Sequence, residues 1–234
     1  MEISFALKKE NAAARQLGDL TDVIYDQNWL AATDKETPLY WMWRGLAETD
    51  GLRYDVLQFN DGALGRELMK TAGHGHSLVP GTQITHPELY QVLRGEVIYL
   101  LQEKKNNEIK RVISVYCQTG DFCLVPPNFE HVTVNLGGGQ TLMANWVAIA
   151  NQSNYQGIKQ KRGGAYYGLT DTPVSWLKNT NYKNVPPLVD FPPTDFSTLG
   201  IDMKENMLYN KENSQVLHFL KAPQQYPRLW GALY

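Results

Sequence analysis

Cysteine is scarce in this 234-residue chain: Cys117 and Cys123 are the only two. So few thiols exclude a disulfide-stapled secreted scaffold and point to reduced, strand-borne side chains in a reducing cytoplasm. Excess charge is lacking too. A net charge of -2 and a pI near 6.2 leave no basic field for nucleic acid, no helix-turn-helix pattern is appended, and a small-molecule partner is expected. No apolar run is long enough to span a bilayer, and none follows a basic start, so neither a membrane span nor a signal peptide is expected. Internal repeats, low-complexity tracts and Gly/Ser linkers are missing as well. The expected organisation is one domain over 1–234, with an N-terminal arm at 1–49, a core at 50–168 and a C-terminal extension at 169–234.

Histidine is also sparse, with five in the chain, which makes the placing of three of them informative. In a strand, residues i and i+2 share a face, so His74 and His76 of His74-Gly75-His76 can point at one ion. Glu88 opens Glu88-Leu89-Tyr90-Gln91-Val92, where Glu88 and Tyr90 share a face with apolar Val92. A carboxylate and a phenol there are costly unless something satisfies them, and a metal ion would satisfy Glu88. His131 begins His131-Val132-Thr133-Val134-Asn135 directly after the stiff Pro126-Pro127-Asn128 turn, which fixes where its imidazole points. Three imidazoles and a carboxylate are a donor set for one divalent metal ion, and His74, His76, Glu88 and His131 are the expected ligands.

From about Arg53 to Ile149 the chain alternates β-prone runs with Gly, Asn and Pro turns. The expected strands are 54–59, 67–71, 88–93, 97–102, 110–116, 122–125, 131–135 and 142–149, linked in part by turns at Arg94-Gly95-Glu96 and Lys105-Asn106-Asn107. This spacing predicts an all-β fold, an antiparallel barrel or a double-sheet jelly roll. Glu10–Leu20 is the best helix candidate, with Ala12-Ala13-Ala14 carrying propensity and Gly18 near its end. Tyr40-Trp41-Met42-Trp43 is too apolar for a free tail and is expected on a sheet face, in the core or against a second subunit. Pro186-Pro187 and Pro192-Pro193 predict an extended course over 183–198. Val216–Phe219 is expected as a late edge strand.

The order His-x-His, Glu, Gly95, then Gly120, Pro126, His131 and Asn135 resembles the two motifs of the cupin superfamily, a double-stranded β-helix. Two departures stand out. Asn128 replaces the Gly of the second motif, and Asn tolerates the left-handed conformation better than most residues. Eleven residues separate His76 from Glu88, more than in typical cupins, so Ser77–Pro87 is expected to bulge as a loop with a turn at Pro80-Gly81. The strings from Gly65 to His76, Pro87 to Gly95 and Val125 to Asn135, continuing through Met143-Ala144-Asn145-Trp146 and Lys161 to Tyr167, resemble the cupin-type, or archaeal-type, glucose-6-phosphate isomerases.

That resemblance implies a homodimer interconverting glucose 6-phosphate and fructose 6-phosphate with a divalent ion such as iron, manganese, nickel or zinc. By motif it assigns the metal to His74, His76, Glu88 and His131, and substrate contacts to Thr71, Gly73, Tyr90 and Tyr155. Ala72 stands where many members carry Lys or another side chain, which removes any phosphate contact from that position. Lys161 and Arg162 are candidates to supply charge to the phosphate, with Gly163-Gly164 permitting close approach. Glu88 is the candidate base and Tyr90 a candidate donor or relay, by an enediolate route or a metal-assisted hydride shift. A cupin dioxygenase or related oxidoreductase would use the same ligands, and a non-catalytic sugar-phosphate-binding cupin the same pocket.

Overall fold

Alternating apolar side chains around Glu88, Val97, Lys110 and Leu142 dictate strands that turn one face to a common interior. The computed structural model of the protein describes residues 7–106, 108–137, 140–197 and 216–234. A six-stranded sheet runs Ala13–Gln16, Pro38–Thr49, Leu52–Phe59, Leu142–Ala148, Glu88–Arg94, Phe122–Val125 in spatial order. A four-stranded sheet runs Phe129–Asn135, Glu96–Lys105, Glu108–Gln118, Leu188–Phe191. Sequence neighbours Glu88–Arg94 and Glu96–Lys105 lie in different sheets, so the chain changes layer at Gly95. Its φ is 89°, and a side-chain carbon there would stand 2.6 Å from the Thr141 hydroxyl, so only glycine fits. Antiparallel strands wound between two sheets in this way form the double-sheet jelly roll, one of the two folds the spacing allows and the double-stranded β-helix that the resemblance implies.

Inward-facing Tyr90, Val92, Tyr99 and Met143 pack together between the sheets. The outer face of the six-stranded sheet is covered as well. Leu89, Leu124, Ala144, Trp146 and Trp43 meet Leu217, Phe219, Leu220 and Leu229 from the C-terminal segment. Strand Leu142–Ala148 is therefore buried at every residue.

Strand 122–125 has the expected bounds, and several others are longer, as where 110–116 becomes Glu108–Gln118. The expected strand 67–71 shrinks to Glu67–Leu68, with Lys70 bridging to Val134. In the second hairpin turn Asn106 takes φ 52°, while Asn107 lies outside the described residues. Tyr40-Trp41-Met42-Trp43 is part of strand Pro38–Thr49. Leu188–Phe191 joins the sheet in parallel with Glu108–Gln118, inside the stretch expected to run extended; residue 198 lies outside the described residues.

Two expectations are corrected. Glu10–Leu20 is not a helix: Lys9–Asn11 is a short 3-10 turn, Ala13–Gln16 pairs with Pro38–Thr49, and Leu17–Val23 is 3-10 helical. The helix propensity of three alanines is a few tenths of a kcal/mol each, less than the free sheet edge and the burial of Leu17, Leu20 and Val23 provide. Val216–Phe219 is not an edge strand but part of a 3-10 helix, Val216–Leu220. Its side chains fill the apolar outer face of the sheet instead of extending an edge. No helix among the described residues is long and apolar enough to cross a membrane.

Candidate metal centre

Glu88 opens its strand with its side chain turned inward. Its Oε2 lies 3.0 Å from His76 Nε2, 3.5 Å from His131 Nε2 and 3.8 Å from His74 Nε2. One donor atom from each of the four side chains lies within 4.8 Å of the others. Two donors bonded at right angles to one ion at about 2.1 Å stand about 3.0 Å apart, so the cluster fits a divalent cation. His74 and His131 are held together by a reciprocal backbone pair, His74 N–H to His131 O at 3.0 Å and the reverse at 2.9 Å. His74 and His76 do not share a regular strand: only Gly75–His76 is one, paired with Ser153–Asn154. Their rings nevertheless meet, 5.1 Å apart.

Both departures from the cupin motifs bear on how these ligands are held. Asn128 takes φ 68°, as the left-handed turn requires. Its side-chain Oδ1 accepts the Thr85 N–H at 3.1 Å, and its own N–H donates to the Thr85 hydroxyl at 2.6 Å. The turn thus grips the long 77–87 loop, which closes through a Leu78–Thr85 bridge and turns at Gly81, φ 75°. Beyond Thr85 that loop delivers the His86 carbonyl to His76 Nδ1, 2.7 Å away. His76 Nδ1 donates to that carbonyl, which turns Nε2 toward the cluster.

Electrostatics suits the same purpose. Burial pushes the Glu88 carboxyl up, but the His76 hydrogen bond and the surrounding imidazoles prevail and bring it to about 2. Burial lowers His131 to about 4 against the pull of Glu88. His74 is carried well below the ordinary range by burial, then by His131 and His76. An ionised Glu88 beside neutral His74 and His131 matches the protonation state that metal binding demands of these groups. His131 Nδ1 is buried without a hydrogen-bond partner, and Tyr90 Oη lies 3.0 Å from its Nε2. Burial and then Glu88 raise the Tyr90 phenol well above its usual range, so it stays protonated.

The cluster forms one wall of a cavity that opens to solvent, a concave place of the kind that small molecules occupy. Thr71, Gly73, Tyr90 and Tyr155 all line it. Lys161 and Arg162 do not. Helix Gln156–Gln160 ends there, the Lys161 ammonium donates to the Asn181 carbonyl at 3.2 Å, and Arg162 takes φ 59° in a turn whose carbonyl accepts the Tyr167 hydroxyl. Residues missed from sequence are Asn145, whose Nδ2 donates to Glu88 Oε1 at 2.6 Å, and the lining cations Arg44 and Arg53. Asn145 had a signal: it is a lone amide on the inward face of an apolar strand, and a buried amide needs a partner.

The comparisons agree with this geometry. Residues 14–185 match the family model described as Glucose-6-phosphate isomerase (GPI), which takes in strand Pro38–Thr49 ahead of the motifs. A Rhizobium meliloti (strain 1021) relative is 30% identical over 137 residues, 58% of this chain and 60% of that protein. The glucose-6-phosphate isomerase of Sinorhizobium medicae (strain WSM419) is 31% identical over 110 residues, 47% of each chain. That of Pyrococcus furiosus is 26% identical over 129 residues, 53% of this chain and 64% of its own. The chain spans less than two thirds of the length of each of these relatives. With most of its length matched, the chain belongs to the glucose-6-phosphate isomerase (GPI) family.

Proposed function

We propose that this chain is a metal-dependent aldose–ketose isomerase interconverting glucose 6-phosphate and fructose 6-phosphate. The observation that carries the reading is the convergence of His74, His76, Glu88 and His131, donor atoms within 4.8 Å, in a chain of this family. Iron, manganese, nickel or zinc held by these four side chains would supply Lewis acidity to the oxygens on C1 and C2 of the open-chain sugar.

The residues of the chain do the rest. Glu88, ionised at neutral pH, takes the proton from C2 of the aldose and returns it to C1 through an enediolate, while the hydroxyl proton of O2 passes to O1, so that the carbonyl moves from C1 to C2. A carboxyl held near 2 is a weak base in place, so Oε2 turns from His76 toward the sugar, with the Asn145 bond to Oε1 as pivot. Tyr90 keeps its proton and donates to a sugar oxygen as negative charge grows there. Thr71, Gly73 and Tyr155 offer neutral donors on a wall apart from Glu88. In the competing hydride shift, hydrogen passes directly between C2 and C1 and Glu88 only fixes geometry; solvent deuterium bound to carbon in the product marks the first route. A homodimer in the cytoplasm completes the proposal, supported by the family resemblance and by unbridged Cys117 and Cys123.

The test is anaerobic incubation of purified protein with fructose 6-phosphate, with and without chelator, measuring glucose 6-phosphate. Metal-dependent product is expected without oxygen. His131→Ala should lose metal and activity together, whereas Tyr90→Phe should keep metal and lose much of its rate. Oxygen uptake on another substrate, sugar-phosphate binding without turnover, or full turnover by H131A would each refute the reading.

A further inference from the structure

Glu130 is a buried carboxylate that the proposed chemistry does not use. It precedes His131 on strand Phe129–Asn135, so alternation turns it away from the cluster. Its Oε2 accepts Gln102 Nε2 at 2.7 Å and its Oε1 accepts the Lys104 ammonium at 3.1 Å. The Gln102 amide is itself committed. Its oxygen accepts the Ala165 N–H at 2.8 Å, which obliges its nitrogen to face Glu130 and the Tyr182 hydroxyl, 3.0 Å away. Charge-assisted bonds on two sides thus fix the carboxylate in place.

Two glycines crowd that carboxylate. A side-chain carbon on Gly75, between His74 and His76, would stand 3.0 Å from Glu130 Cγ. One on Gly157 would stand 2.5 Å from Glu130 Oε1 and 2.9 Å from Lys104 Nζ. Gly157 lies in helix Gln156–Gln160 without a positive φ, where alanine is the better helix former, so close approach and not backbone conformation asks for glycine there. Next to it, fully buried Ile158 reaches Gly73, where a side-chain carbon would stand 2.9 Å from Ile158 Cδ1. Gly73 and Gly75 flank His74, and both contacts press the helix toward the stretch that carries this imidazole. Tyr155 heads the helix: its carbonyl accepts the Lys159 N–H at 3.0 Å, and its ring centroid lies 5.4 Å from that of His74.

We propose that Glu130 and Gly157 are positioning residues: the carboxylate, braced by Gln102 and Lys104, seats the helix through the bare backbone of Gly157, and this contact holds Tyr155 against His74. A methyl group on residue 157 would force a choice between breaking charge-assisted bonds in a buried place and lifting a five-residue helix. The helix yields, because its ion pair, Lys159 with Asp22 at 3.5 Å, is exposed and screened. The consequence for substrate rests on the isomerase reading, in which Tyr155 offers a donor to the sugar phosphate; the seating of Tyr155 does not.

The experiment compares wild type with Gly157→Ala, Tyr155→Leu, the G157A/Y155L pair and the G157A/E130D pair, all saturated with zinc. It reads KM for fructose 6-phosphate and the ring proton resonances of His74, which the Tyr155 ring current shifts whether or not substrate is bound. G157A should raise KM about two- to tenfold, the worth of one hydrogen bond, and should move the His74 resonances in the direction that Y155L moves them. Its kcat and zinc content should stay near wild type. In the Y155L chain, G157A should raise KM no further, since it acts through Tyr155. E130D withdraws the carboxylate by one carbon and leaves room for the methyl group, so G157A/E130D should recover part of the loss on both readouts. His74 resonances unmoved in G157A, a KM rise that adds to that of Y155L, or a G157A/E130D pair no better than G157A would each overturn the proposal. A wild type that turns over no fructose 6-phosphate would sink the isomerase reading, and the His74 resonances would still decide whether Glu130 and Gly157 seat Tyr155.

Discussion

At the scale of single residues, the working geometry depends on side chains that hold other side chains. Asn145 fixes one oxygen of Glu88, and that leaves the other for the imidazoles. Partners of this kind typically contribute 10–100-fold to metal affinity or activity, so Asn145→Ala should lower one or both by about that factor while the circular dichroism spectrum stays unchanged. Metal titration and turnover measure it, and wild-type values in both would remove Asn145 from the centre. The four clustered side chains were legible in sequence as a candidate donor set because each sits at a fixed offset from a Gly or Pro turn, and turns fix where strands begin. Asn145 was not, since it lies inside an apolar strand with no turn to mark it. Lys161 and Arg162 misled for a related reason: Gly163-Gly164 suggested a close approach to ligand, whereas Gly163 serves a tight turn packed on Tyr167, whose ring lies 2.7 Å from where a side-chain carbon would be.

At the scale of elements, the strand Glu88–Arg94 is sandwiched. Its inward positions carry the chemistry, while Leu89 lies under the C-terminal segment. A one-residue slip would drive Glu88 into that apolar layer, so the cover enforces register. Phe219 is 1% exposed at the centre of the cover, and Phe219→Ala should cost about 3–5 kcal/mol. Urea unfolding checks this, and a loss under about 1 kcal/mol would show that the segment is not part of the fold's stability. Barrel strands could be read from alternation because the two-residue period is set locally. The segment from Glu10 to Leu20 and the one at Val216 could not, because their conformations are decided by surfaces built elsewhere in the chain: a free sheet edge in the first case and an exposed apolar sheet face in the second.

For the whole molecule, the centre links stability to protons and to metal. In the metal-free protein His131 titrates at about 4 instead of the ordinary 6.5, and His74 is shifted the same way. Between those pH values the unfolded chain binds protons that the folded one refuses, so stability is full above about pH 6.5 and falls as pH drops through the window. Glu88 extends the loss from its ordinary 4.5 toward about 2. The urea midpoint of chelated protein should therefore fall between pH 7 and pH 4, and the metal-loaded protein should resist until the ion is displaced. A flat midpoint across that range would contradict neutral imidazoles in the fold.

The grip between Asn128 and Thr85 carries a lesson for anyone engineering this chain. Replacing Asn128 with the glycine of the cupin pattern would look like a repair and would ease the backbone. It would also leave the loop that presents a carbonyl to His76 held at this turn by the backbone bond to the Thr85 hydroxyl, without its side-chain partner, so a substitution chosen by majority vote would loosen the very side chain it was meant to secure.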